Sequence, residues 1–248
     1  MKRAAVAAIG LMTGLTMLTG CSKAEVEETI QPLVADAIEE TDSEAEAVEE
    51  QDESPLIPEI DTSVKIEAGS MIAVVSKSTQ GEYWKLVKKD VDFAFIRLSY
   101  GLNRVDSKFD YNMTQAEAAG VPVGTYVYSL AKSNKEALAE AQLAIQKMKG
   151  HKVSYPVVFD MEDERTLGTK SKREISQIAL TFCDEIRKAG YTPMLYMNLN
   201  WYNNYVDWSI LEGSGLDVWI ACYGDHILAP DSSRYKYTIW QPTAGDEV

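Results

Sequence analysis

The stretch Tyr155-Pro-Val-Val-Phe-Asp160-Met-Glu162-Asp163 sets two carboxylates two residues apart at the end of a short apolar run. Val157, Val158 and Phe159 read as a fully buried strand. On a strand, residues i and i+2 share a face, so Asp160 and Glu162 project together while Met161 turns away. Two carboxyl groups crowded at a buried strand end cannot both ionise freely. One keeps its proton to higher pH and can act as a general acid, the pairing that hydrolysis of a glycosidic bond requires. The plainer alternative is a strand that opens into a polar loop. Asp163 and Glu164 read as belonging to that solvated loop.

Little else in the chain offers competing chemistry. The histidines, His151 and His226, stand apart and lack metal-ligand spacing, so no metal site is expected. No serine sits in a Gly-x-Ser-x-Gly elbow. No cofactor is expected. Cys183 falls in a helical pattern and Cys222 in a strand; they read as buried free thiols, with a disulfide left open because sequence cannot bring the sulfurs together. No basic patch exists to neutralise phosphate, which argues against nucleic acid as a partner.

The elements that must position the carboxylates alternate along residues 71–241. Strands are expected at 71–75, 93–98, 123–129, 157–159, 194–197, 218–222 and from 237. Helical patterns cover 83–89, 111–119, 135–148 and 172–189, three of them followed closely by Gly120, Gly150 and Gly190. Strands separated by helices pair in parallel through right-handed crossovers. Seven strands with fewer helices predict an α/β fold, an irregular or incomplete (β/α) TIM-like barrel. Catalytic groups of such barrels sit at the C-terminal strand ends, where Asp160, Glu162, Tyr128, Asn198 and Tyr223 fall.

The N-terminus has a different character. Met1-Lys-Arg precedes a charge-free apolar run from Ala4 to Thr19, and then Leu18-Thr-Gly-Cys21. Residues 1–21 read as a secretory signal, too short to span a membrane comfortably. The ending at Cys21 resembles the bacterial lipobox, which implies lipidation of Cys21, export, and anchoring to the outer face of the cell membrane. Residues 22–61 hold fifteen acidic side chains against Lys23 alone, which accounts for the net charge of −14 of the whole chain. A like-charged, aromatic-free segment is expected to be a disordered tether, preceding a domain over 62–248. The acidity therefore belongs to the tether, and the domain is close to neutral.

From Asp92 onward the chain resembles the glycoside hydrolase family 25 lysozymes. The resemblance runs through Asp92-Phe-Ala-Phe-Ile-Arg97-Leu-Ser-Tyr100-Gly101, then Asp106, Phe109 and Asn112. It continues through Ala119-Gly120-Val-Pro-Val-Gly124-Thr-Tyr126-Val-Tyr128-Ser129 and Pro156-Val-Val-Phe-Asp160-Met-Glu162. Ala189-Gly190-Tyr191-Thr-Pro193-Met-Leu-Tyr196-Met-Asn198, Trp219-Ile-Ala-Cys-Tyr223 and Trp240-Gln241 complete it. It implies a muramidase that cleaves the β-1,4 bond between N-acetylmuramic acid and N-acetylglucosamine in peptidoglycan, acting as a monomer. Glu162 would be the general acid, and Asp160 would assist the substrate's N-acetyl group. Tyr128, Asn198, Tyr223, Trp240, Arg97 and Tyr100 are the expected substrate-binding residues. Strand tyrosines also fill barrel interiors, which is the expected place of Tyr126. Arg97 could equally form a structural ion pair, and Trp201-Tyr-Asn-Asn-Tyr205 could cover the groove or cap the barrel.

The chain departs from the family pattern twice. The first strand usually reads Ile-Asp-Val-Ser, followed by an aromatic and Gln-Gly, whereas here it reads Ala73-Val74-Val75-Ser76-Lys77-Ser78-Thr79-Gln80-Gly81. Val74 takes the place of an acidic residue. The pattern also continues past Trp240-Gln241 to a closing strand with a further Asp, whereas this sequence ends at Val248. Both departures predict impaired activity. The alternatives are a non-catalytic glycan-binding lipoprotein on the same fold, or a lipoprotein whose tether matters more than its domain.

Overall fold

The computed structural model describes residues 4–5, 66–68, 70–76, 84–85, 88–223 and 229–242. Cys21, the acidic segment and His226 lie outside them.

The strands are β1 (Ala4–Ala5), β2 (Ile72–Val75), β3 (Phe93–Tyr100), β4 (Arg104–Val105), β5 (Val123–Tyr128), β6 (Val157–Asp160), β7 (Pro193–Asn198), β8 (Asp217–Ala221) and β9 (Ile239–Gln241). The helices are α1 (Phe109–Ala119), α2 (Asn134–Met148), α3 (Lys172–Lys188), α4 (Leu199–Asn204) and α5 (Trp208–Leu211). The sheet runs β1-β9-β8-β7-β6-β5-β3-β2 with every pair parallel, and β4 adds antiparallel to β3.

The sheet curls strongly. Phe95 on β3 and Trp219 on β8 stack with ring centroids 4.8 Å apart. Four strand spacings separate those strands, about 19 Å if the sheet were flat. Only a rolled sheet lets the rings meet, so the fold is α/β with a parallel half-barrel, an incomplete TIM-like barrel. Its concave side holds Ile72, Phe93, Phe95, Val158, Met194, Trp219 and Ile239, with Val74, Tyr126 and Tyr196 packed on them. Gly124 makes room for this filling. A Cβ there would meet the Pro156 carbonyl at 2.5 Å and the Phe95 ring at 2.6 Å.

The alternate strand residues face the helices. Ala94, Ile96, Leu98, Val127, Phe159, Leu195 and Ile220 join Ala137, Ala141, Ala144, Ile175, Ile178 and Phe182 in the larger core. Helix α3 starts with a capping box, in which Ser171 and Glu174 satisfy each other's backbone N–H groups. Ser133 caps α2 through the Glu136 N–H. Gly120, at φ 69, ends α1 in the left-handed conformation that favours glycine. The strands and the helical patterns at 111–119, 135–148 and 172–189 thus match the expected alternation, with β1, β4, α4 and α5 as additions; the pattern at 83–89 falls largely outside the described residues. Cys183 is buried in α3 and Cys222 follows β8; both are free thiols.

Candidate functional site

Strand β6 is held between β5 and β7 up to its last residue, where Asp160 pairs with Tyr128 on one side and Tyr196 on the other. Beyond it, the Ser129 N–H donates to the Asp160 carbonyl at 2.9 Å, and the Met161 N–H donates to the Tyr196 carbonyl at 3.1 Å. Met161 is fully buried on the helical side. Asp160 and Glu162 therefore leave the strand on the concave side, as the two-residue period requires.

Asp160 is buried, and its Oδ1 has no hydrogen-bond partner among the described residues. Burial and then the charge of Glu162 push its carboxyl well above the ordinary range; Arg97 opposes this and Asp163 adds to it. Burial also raises Glu162, while hydrogen bonding to Asn198 works against the rise. The pair holds a proton to higher pH than a free carboxylic acid would, and that proton belongs to the pair.

Asn198 shows how the chain fixes one member. Its Oδ1 accepts from the Trp201 N–H at 3.0 Å, which caps α4. That leaves its Nδ2 to donate to Glu162 Oε2 at 3.0 Å. One side chain ends β7, starts a helix and orients a carboxylate. Next to it, the Tyr196 and Tyr223 hydroxyls are 3.1 Å apart, and Tyr223 is half exposed at the rim. Burial and the two carboxylates raise the Tyr196 phenol, so it stays protonated.

The structure corrects the reading of Asp163 as a solvated loop residue. Asp163 is 2% exposed. It accepts from the Arg165 and Thr166 N–H groups at 3.0 Å each, from Thr166 Oγ1 at 3.1 Å, and from Arg165 Nη2 at 3.1 Å. Tyr128 donates to it at 3.4 Å. Burial pushes Asp163 up, but these donors outweigh it and hold the carboxyl below its ordinary value. The sequence signal was the Asp163-x-Arg165-Thr166 spacing, which lets an aspartate side chain bond the backbone two and three residues on.

The other expected site residues divide. Tyr128 stands beside both carboxylates, and burial and their charge keep its phenol protonated. Tyr100 stacks on Tyr128 with centroids 4.5 Å apart, carries Arg104 over its ring at 4.4 Å, and accepts from Arg165 Nη2 at 3.1 Å. Its ring is thereby sandwiched and backs Tyr128. Arg97 makes an ion pair with Asp106 at 2.9 Å, the structural alternative. Trp240 is not brought to the cluster: alternation on β9 turns it toward the helical side, in register with Ile220, while Ile239 and Gln241 face the concave side. Trp201 and Tyr202 are buried in the larger core on the helical side, not over the concave side. Val74 faces the concave apolar cluster, in register with Phe95. No group of histidine, cysteine or acidic residues among the described residues is arranged to hold a metal ion. No helix among them is long and apolar enough to cross a membrane.

The sequence model of the Glycosyl hydrolases family 25 matches residues 73–247. No curated protein matches the chain. Among solved structures, the CTP1L endolysin is similar with a TM-score of 0.59 and 23% identity, over 71% of this chain and 61% of that one. The modular autolysin LytC from Streptococcus pneumoniae, in complex with a synthetic peptidoglycan ligand, has a TM-score of 0.59 and 20% identity, over 70% and 42%. A family 25 glycosyl hydrolase from Bacillus anthracis has a TM-score of 0.55 and 22% identity, over 68% and 77%. The chain thus spans less than two thirds of the endolysin and of the autolysin. At these identities the likeness speaks for the fold.

Proposed function

The chain belongs to the glycosyl hydrolases of family 25, and from that premise we propose that it is a peptidoglycan muramidase. It cleaves the β-1,4 bond between N-acetylmuramic acid and N-acetylglucosamine, with Glu162 as general acid. The observation that carries this reading is the pair of crowded carboxyls, one of which offers a buried oxygen without a partner among the described residues.

The chemistry follows from where the proton sits. In the free protein the Asn198 N–H favours the charged form of Glu162, while burial disfavours charge on Asp160. A sugar acetamido N–H donating to Asp160 supplies the missing partner and stabilises its carboxylate. The proton of the pair then passes to Glu162, which points at the leaving oxygen. Asp160 holds the acetamido group so that its carbonyl oxygen attacks the anomeric carbon, the substrate-assisted route. Tyr128 and Tyr223 flank the sugar and Asn198 keeps Glu162 aligned. Export, lipidation at Cys21 and an extended acidic tether place a monomeric domain at the wall; Cys21→Ser is expected to release the protein from membranes. Equal membrane retention in a Cys21→Ser protein that is still cleaved would remove the anchor.

One observation favours a second reading, a glycan-binding protein without turnover: position 74 is apolar and packs on the concave cluster. Incubating the purified protein with peptidoglycan separates the two. Release of reducing ends is expected of the muramidase; saturable binding without release is the signature of the alternative.

A further inference from the structure

Glu140 lies on α2, on the same stripe as Ala137, Ala141 and Ala144, and is 1% exposed. An acidic side chain seldom occupies such a place unless it is partnered. Its Oε2 accepts from the Ser129 hydroxyl at 2.7 Å and its Oε1 from the Leu130 N–H at 3.0 Å. The Ser129 hydroxyl in turn accepts from the Ala131 N–H at 3.1 Å. The Ser129 N–H donates to the carbonyl of Asp160. A buried carboxylate thus reaches the catalytic strand end from behind, through one serine.

We infer that Glu140 is a positioning residue for the site: in its ionised form it fixes Ser129, and Ser129 fixes the backbone of Asp160. The inference rests on the muramidase reading for its catalytic consequence, though the coupling itself does not depend on substrate. Ionised Glu140 needs two donors and has two. Once it is protonated, its hydroxyl points at Ser129, whose oxygen has a second lone pair beside the one that receives the Ala131 N–H. The serine proton then loses its charged acceptor and must turn elsewhere, so the short contact that clamps Ser129 to α2 is reversed and weakened.

Burial raises Glu140 to about 7, against the two hydrogen bonds and with a small push from Glu136 one turn earlier. From β5 and the following turn it faces Ser129 and Leu130, which do not titrate. Lys132 on that turn gives its N–H to Glu136, and on the outward side of α2 Gln142 bonds Glu185 of α3. The folded value lies above the ordinary one, so the folded state binds the extra proton and stability falls as pH rises through the window up to about 7. Removing the charge therefore favours folding, and Glu140→Gln is expected to fold at least as well as the parent.

The test joins kinetics to a substrate-free readout. Glu140→Gln is expected to lower kcat roughly 10-fold with KM little changed, because the misplaced group lies behind the reacting atoms. The acid limb of the pH profile should lose the component near 7 that ionisation of Glu140 supplies. Ser129→Ala should act similarly, and the double variant should lose no more than either single one, since the serine is the conduit. In the parent, the 13C shift of the Asp160 backbone carbonyl should show a step near 7 that is gone in Glu140→Gln. Additive losses, or a carbonyl titration identical in parent and variant, would overturn the inference. A parent without reducing-end release would instead defeat the muramidase reading, and the carbonyl titration would still decide the role of Glu140.

Discussion

The concave side of the barrel has two unlike ends. At β6 and β7, Asp160, Glu162, Asp163 and Asn198 come from two strand ends and one short loop, and each touches or charges another. At β2, the corresponding inward position is Val74, seated on aliphatic and aromatic neighbours. The family pattern puts a carboxylate at both ends; this chain keeps only one of them. The contrast teaches that the crowding that raises the carboxyls is local. It arises within the four residues from Asp160 to Asp163, under burial, and needs no charge from across the barrel.

The largest effect should come from the crowded end. Glu162→Gln keeps the shape and the contact with Asn198 but holds no acidic proton, so turnover should fall by ~10²–10⁴-fold while glycan binding persists. Turnover and binding measured on one preparation check this, and parent-like turnover would take Glu162 out of the role.

How much of this contrast could be read beforehand depended on the kind of signal. The strands, the helices and the shared face of Asp160 and Glu162 follow from periodicity, which sequence carries directly. Val74 stands out by comparison with the family pattern, which a single residue type at one position suffices to show. Asp163 was missed because its burial is made by a turn and by Tyr128, neither visible as a period. Glu140 was missed although it lies on the buried stripe of α2, where a charged residue marks a hidden partner. Trp240 came from the resemblance alone, and alternation on β9 turns it to the helical side. A one-residue change of phase on a three-residue strand reverses its face.

A smaller effect is expected at Asp163, and it tests whether the crowded end is also a structural joint. Asp163→Asn loses charge-assisted acceptance from Arg165 and Thr166, and should cost about 1–3 kcal/mol near neutral pH. The folded carboxyl is held below its ordinary value, so its contribution is present above the unfolded pKa and fades as pH falls through the folded one. Thermal unfolding of parent and variant should therefore converge at acid pH. A difference that persists unchanged with pH would assign the loss to packing.

The smallest effect belongs to the apolar end. Val74→Asp puts a carboxylate on the concave side, the side onto which Asp160 and Glu162 project. Added negative charge raises the pair further, so the alkaline limb of activity should move upward by a few tenths of a pH unit, roughly the size of a screened pair several ångströms apart. Melting temperature should fall, because Val74 packs on the inner cluster. A folded variant with an unmoved limb would show that the two ends do not communicate.

A muramidase run by the β6 end of the barrel exposes one defined sugar at each cut, so the identity of the new reducing end is the decisive measurement. Digested peptidoglycan is reduced with borohydride and hydrolysed, and the reduced sugars are identified. Muramitol is expected in the digest of the parent and is expected to be lost from that of Glu162→Gln. Glucosaminitol as the new end would contradict the bond assigned here, and bound glycan without any new reducing end would contradict catalysis altogether.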